Sequence, residues 1–106
     1  MSTIHPDITK LYYTVTVSSG VGTQVLPVGL ANKMIQIIVK PPSEDAVYKF
    51  YIQENIDEVE VFRREDDIVG TYNEIVTPAL PLFGDNVFYI RDATVDGNYK
   101  LRLVHE

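Results

Sequence analysis

The chain has 106 residues, 45% of them hydrophobic, no cysteine and a formal charge of −6. This length suits one domain with a genuine core, and the composition excludes a disordered chain, a disulfide framework, thiolate metal sites and thiol nucleophiles. The charge is uneven: residues 1–53 carry four lysines against three acids, residues 54–106 five basic residues against twelve acids.

An acidic balance repels phosphate backbones, so nucleic acid is not expected as a partner. No run of about 18 apolar residues is present, and no membrane-spanning helix is expected. The N-terminus lacks the basic and apolar regions of a signal peptide. The absence of cysteine fits synthesis in a reducing cytoplasm.

Residues 1–9 are polar, contain His5-Pro6, and predict an N-terminal arm or lead-in strand ahead of one β-sheet domain over 10–106. Period-two alternation predicts a first strand over 10–18, with Leu11, Tyr13, Val15 and Val17 on one face and Tyr12, Thr14 and Thr16 on the other. Ser18-Ser19-Gly20-Val21-Gly22 predicts a hairpin turn, followed by a short strand over 23–26 and a connection over 27–32. The nearly continuous apolar run over 33–40 predicts a central strand, which Pro41-Pro42 ends because proline cannot donate to a ladder.

The next strand spans 46–53, with Ala46, Tyr48, Phe50 and Ile52 on one face and Tyr51 on the other. A turn of helix is expected near Asn55-Ile56-Asp57, then a strand over 58–63. Arg63-Arg64-Glu65-Asp66-Asp67 predicts a turn, and 68–77 a weaker strand with a bulge at Gly70. Residues 78–86 predict an apolar loop, and two closing strands are expected on either side of Asp96-Gly97, a type I′-like hairpin signal. About eight strands at roughly 8–12-residue spacing read as an all-β sandwich or barrel.

Residues that could carry chemistry have simpler roles. The loop acids Glu44, Asp45, Glu65, Asp66, Asp67, Asp85, Asp92 and Asp96 lack EF-hand spacing, and Asp is common in turns for conformational reasons. No two of them are paired by the sequence for glycoside hydrolysis. His5 and His105 lie near opposite ends, where fraying is expected, and a catalytic base must be rigidly held. Gly20-Val21-Gly22 precedes a strand, whereas a phosphate cradle needs a helix. The expectation is therefore no catalytic residue, no metal site and no cofactor.

Seven tyrosines, four phenylalanines and no tryptophan leave a different signal. Tyr12 and Tyr13 are adjacent on a strand, as are Phe50 and Tyr51, so one of each pair leaves the inner face. Tyrosine suits interfaces because its apolar ring ends in a hydrogen-bonding tip. In the apolar loop, Leu80, Leu82 and Phe83 either cap the domain or meet another chain. The candidate interface is Ile4, His5, Tyr12, Tyr51, Leu80, Leu82 and Phe83.

The Thr/Ser-rich first strand, Tyr12-Tyr13-Thr14-Val15-Thr16-Val17-Ser18-Ser19-Gly20, and the closing run Asp96-Gly97-Asn98-Tyr99-Lys100-Leu101-Arg102-Leu103-Val104 give the chain a recognisable style. Together with its brevity and cysteine-free acidic character, it resembles small virion structural proteins of tailed bacteriophages, notably capsid decoration (cement) proteins. The resemblance implies an antiparallel β-sandwich, an eight-stranded jelly roll, without enzymatic activity. It implies binding to the major capsid protein on the outer shell, a homo-oligomer with a trimer favoured, and a virion location after synthesis in the host cytoplasm. The arm would reach neighbours by strand addition.

The expected core is Val15, Val17, Ile35, Ile37, Val39, Phe50, Ile52, Val61, Ile90, Leu101 and Leu103. The alternative is a carbohydrate-binding sandwich module, with tyrosines as stacking platforms and calcium-supported loops.

Overall fold

The computed structural model describes residues 9–26, 33–54, 59–81 and 85–105, residues 59 and 63–66 by their backbone alone. Its strands are β1 (Thr9–Val17), β2 (Gly22–Val25), β3 (Lys33–Lys40), β4 (Val47–Glu54), β5 (Val59–Val69), β6 (Tyr72–Pro81), β7 (Asn86–Arg91) and β8 (Gly97–His105). They form two four-stranded sheets, β1-β8-β3-β6 and β2-β7-β4-β5, with antiparallel pairing throughout. Of the consecutive strands, only β4 and β5 are neighbours in one sheet; every other connection passes between sheets. That order is the jelly roll.

The alternation of each strand delivers one row of side chains to the space between the sheets. Val15, Val17, Ile37, Val39, Tyr99, Leu101 and Leu103 come from the first sheet, and Tyr48, Phe50, Ile52, Phe88 and Ile90 from the second; all are buried. Burying each large side chain stabilises the fold by about 1.5–3 kcal/mol. Phe50 is the aromatic centre: its ring lies 5.2 Å from Tyr72, 5.5 Å from Phe88 and 6.1 Å from Phe62. Tyr48 and Tyr99 meet edge to face across the sheets at 5.3 Å.

In β3 the expected inward row fails at one position. Met34 is fully buried and Ile35 only half-buried, although Ile37 and Val39 face inward as expected. The register against β8 explains it: Met34 pairs with His105 but Gln36 with Val104, leaving Ile35 as an extra residue. A bulge inverts the faces on one side of itself. Val61, also expected in the core, is half-buried and packs against it.

Three expected turns are placed differently. The charged run at 63–67 lies inside β5, not in a turn. Tyr48 pairs with Ile68 and Phe50 with Arg64, so the ladder absorbs extra residues as a bulge while pairing resumes on both sides. Gly70, at φ 71°, is the turn between β5 and β6 and not a bulge within one strand.

The loop expected at 78–86 starts late, because β6 runs on to Pro81; Met34 pairs with Leu80 and Lys33 with Pro81. As an edge strand, β6 tolerates proline.

Asp96-Gly97 closes no hairpin, since β7 and β8 belong to different sheets. The type I′ geometry occurs instead at Ser19 (φ 53°) and Gly20 (φ 80°), where Ser18 and Val21 exchange backbone hydrogen bonds of 3.0 and 3.1 Å. His105 is no frayed end: it is 4% exposed, within β8. Of the arm expected over 1–9, residues 1–8 lie outside the described residues, as does the helical turn at 55–57, and Thr9 belongs to β1, paired with His105.

The connections at one end of the sandwich are tied together. The Asp96 carboxylate accepts the N–H groups of Ser19 and Gly20, each at 3.0 Å. Ala93 N–H donates to Gly20 O at 3.1 Å, and Thr94 exchanges bonds of 2.9 Å with the backbone of Val47. Glu44 accepts from the N–H and hydroxyl of Thr71, at 3.2 and 2.9 Å. The Tyr48 hydroxyl donates to Gly70 O at 2.7 Å.

Candidate functional site

The two outer faces treat their charges differently. On the second sheet the described cations are matched within the chain. Lys49 lies 3.6 Å from Asp67 and 3.8 Å from Asp92, and the Arg91 guanidinium sits 5.6 Å from the Tyr51 ring centroid. Tyr51 and Tyr89 stack at 4.7 Å with their planes 14° apart. Tyr51 is consequently only 9% exposed although it points away from the core.

The outer face of the first sheet is open. Cross-strand register places Tyr12 beside Arg102, Arg102 beside Ile38, and Ile38 beside Asn73. The neighbouring rung runs Thr14, Lys100, Lys40. All of these but Asn73 line a groove of about 360 Å³, in which Tyr12 is 67% exposed. On the same face of β6, Ile75 is 72% exposed. Among the described residues, no acid forms an ion pair with Lys40, Lys100 or Arg102, and Arg102 Nε is buried without a hydrogen-bond partner. Lys40 and Lys100 stand directly opposite each other, an arrangement that destabilises a sheet unless something answers the charge.

The candidate interface residues do not gather in one place. Tyr12 lies in the groove, while Tyr51 sits on the opposite sheet beneath Tyr89. Leu80 belongs to β6 and packs against the core. Ile4, His5, Leu82 and Phe83 lie outside the described residues. Lys40, Lys100, Arg102 and Ile38 join Tyr12 in their stead. Alternation in Lys100-Leu101-Arg102-Leu103 already sets both cations on one face, but nothing in the sequence says that β8 lies between β1 and β3.

Burial raises the hydroxyl pKa values of Tyr13, Tyr48 and Tyr99, so all three are neutral donors across the physiological range. Among the described residues, no group of three or more His, Asp or Glu is placed to hold a metal ion.

Fold and surface define a jelly-roll β-sandwich with one outer face whose aromatic and basic side chains stand open. No family model and no curated protein matches the chain. Among solved structures, the Drosophila NLP core, described for its pentamer formation and histone binding, matches at TM-score 0.52 and 14% identity. The match covers 92% of this chain and 96% of that one, and the likeness is one of fold. The carbohydrate-binding module CBM36, solved with calcium and xylotriose, aligns at TM-score 0.40 and 11% identity over 92% of this chain and 96% of its own. A chain of infectious bursal disease virus strain Gx aligns at 0.35 and 11% identity, covering 97% of this chain and 34% of that one.

Proposed function

We propose that this chain is a non-enzymatic virion structural protein that binds the outer face of a capsid shell and stabilises it. The observation that carries the reading is the outer face of the β1-β8-β3-β6 sheet, where Tyr12 stands open beside cations that have no ion-pair partner among the described residues. Aromatic and arginine side chains are the residues that most often anchor protein interfaces. A rigid sandwich holds such a face at little conformational cost on binding. The style shared with phage decoration proteins supplies the partner, the major capsid protein, and the virion surface as location.

Self-association, with a trimer favoured, belongs to the same reading. The N-terminal arm, expected over 1–9, would add contacts to neighbouring subunits.

Co-sedimentation with empty phage shells tests the reading. The native protein should pellet with shells, and Tyr12→Ala should remain in the supernatant while keeping its melting temperature. Equal pelleting of both proteins would overturn the assignment of this face.

The second reading, a carbohydrate-binding module, is favoured by one feature: the open ring of Tyr12 offers a stacking platform in a groove. It predicts a rise in melting temperature with oligosaccharide, because a ligand bound only by the folded state stabilises it.

A further inference from the structure

We infer that the outer face of the first sheet recognises an extended acidic peptide segment, laid along the open edge of β1 with its carboxylates turned toward Lys100 and Arg102 on the neighbouring strand β8. The inference rests on the proposed binding role of this face and names the chemistry of the partner.

Three observations support it. The first is charge. In a chain of net charge −6, three cations converge on one groove without an ion-pair partner among the described residues, while Lys49 on the other sheet has two. The Lys40–Lys100 opposition costs stability unless an anion relieves it. The second is spacing. Lys100 and Arg102 are two residues apart on β8 and share a face, so their stems emerge roughly 6.8 Å apart, the repeat of same-face side chains in an extended peptide. Alternate carboxylates on a bound strand would meet both.

The third is the edge itself. β1 ends its sheet, so half of its backbone groups have no strand partner among the described residues. Only another peptide backbone satisfies such a row of N–H and C=O groups in register. Thr14 lies between Lys100 and that edge, and its small side chain leaves the lysine a path across it. Tyr12, next along the strand on the same face, lays its apolar ring beside the stems of the carboxylate side chains. A sugar or nucleic-acid polyanion would use the cations but not the edge.

The test uses a fluorescein-labelled peptide of alternating glutamate and valine, with its glutamine counterpart as control. Fluorescence anisotropy should show saturable binding of the glutamate peptide, weakening as salt rises. Lys100→Glu should weaken it about tenfold or more, the loss of one charge-assisted contact, and Lys40→Glu, one strand further from the edge, should weaken it less, through the field at Lys100. Both variants replace a like-charged pair by an opposite one, so an undiminished melting temperature shows that the fold is intact.

Equal binding of the glutamine peptide, tighter binding of a heparin fragment than of the glutamate peptide, or unchanged affinity in both variants overturns the inference. A change from oligomer to monomer in Lys100→Glu also overturns it, by assigning the face to a second copy of the chain. Shell binding that survives both charge reversals removes the inference and leaves the shell-binding reading. Peptide binding without shell binding supports the inference and removes that reading.

Discussion

The carboxylate of Asp96 accepts the backbone N–H of Ser19 at 3.0 Å, across 77 residues of sequence, and that of Gly20 at the same distance. One side chain just ahead of β8 thus holds the tight turn that carries the chain from one sheet to the other. Asp96→Ala should lower stability by about 1–2 kcal/mol, the net value of two hydrogen bonds that are open to water. Asp96→Asn retains one acceptor oxygen and should recover only part of the loss. Urea unfolding of the three proteins checks the order.

Gly70 makes the passage from β5 to β6 at φ 71°, and a Cβ built there would lie 2.9 Å from the carbonyl oxygen of Glu44. An L-residue pays about 1–2 kcal/mol for the left-handed conformation alone. The contact is with backbone, which cannot swing aside. Gly70→Ala should therefore cost more than that conformational share and lower the melting temperature by about 4–8 °C per kcal/mol lost. A thermal scan showing no change would mean that the turn relaxes freely.

Tyr48 is fully buried and donates its hydroxyl to Gly70 O at 2.7 Å. Burial, reinforced by Tyr99, Glu44 and Tyr72, raises its pKa well above the ordinary value of 10.0. The folded chain therefore holds this proton more tightly than the unfolded chain does. Its contribution is complete below the unfolded pKa and is lost as the pH climbs from there toward the folded value. Stability should fall above about pH 10, by up to roughly 1.4 kcal/mol per pH unit for each such group. Tyr48→Phe should begin about 1–2 kcal/mol less stable at neutral pH, with its carbonyl partner left unsatisfied. It should also show a shallower alkaline decline, with Tyr99 and Tyr13 supplying the remainder. Urea midpoints across that pH range measure both effects.

How far the sequence discloses this molecule depends on the kind of information asked of it. Alternation in Tyr48, Phe50 and Ile52, or in Leu101 and Leu103, states which side chains go inward because a pleat has only two faces. It fails where a bulge changes parity: Met34 takes the inward place expected of Ile35, and no residue type marks the switch. The charged run at 63–67 has turn chemistry, yet pairing with β4 on both sides keeps it in strand. Asp96-Gly97 has the composition of a hairpin, but the sheets on either side demand a crossing. The binding face is legible only in part for the same reason. Tyr12 is outward by alternation, whereas its meeting with Arg102, Lys100 and Lys40 is a product of strand order.

Tyr12 and Tyr51 offer the sharpest test of that difference, because both point away from the core and only one is open. Tyr12 is 67% exposed, and Tyr12→Ala should leave stability within about 0.5 kcal/mol of the native protein. Tyr51 is covered by Tyr89 and by Arg91, and Tyr51→Ala should lose about 2–3 kcal/mol of ring burial and stacking. Binding should show the opposite order: Tyr12→Ala should lose the shell and the acidic peptide together, while Tyr51→Ala keeps both below its lowered melting temperature. Parallel denaturation and co-sedimentation of the two variants read the two orders independently. If Tyr51→Ala alone abolished binding, the working surface would be the second sheet, and the open cations of the first would need another explanation.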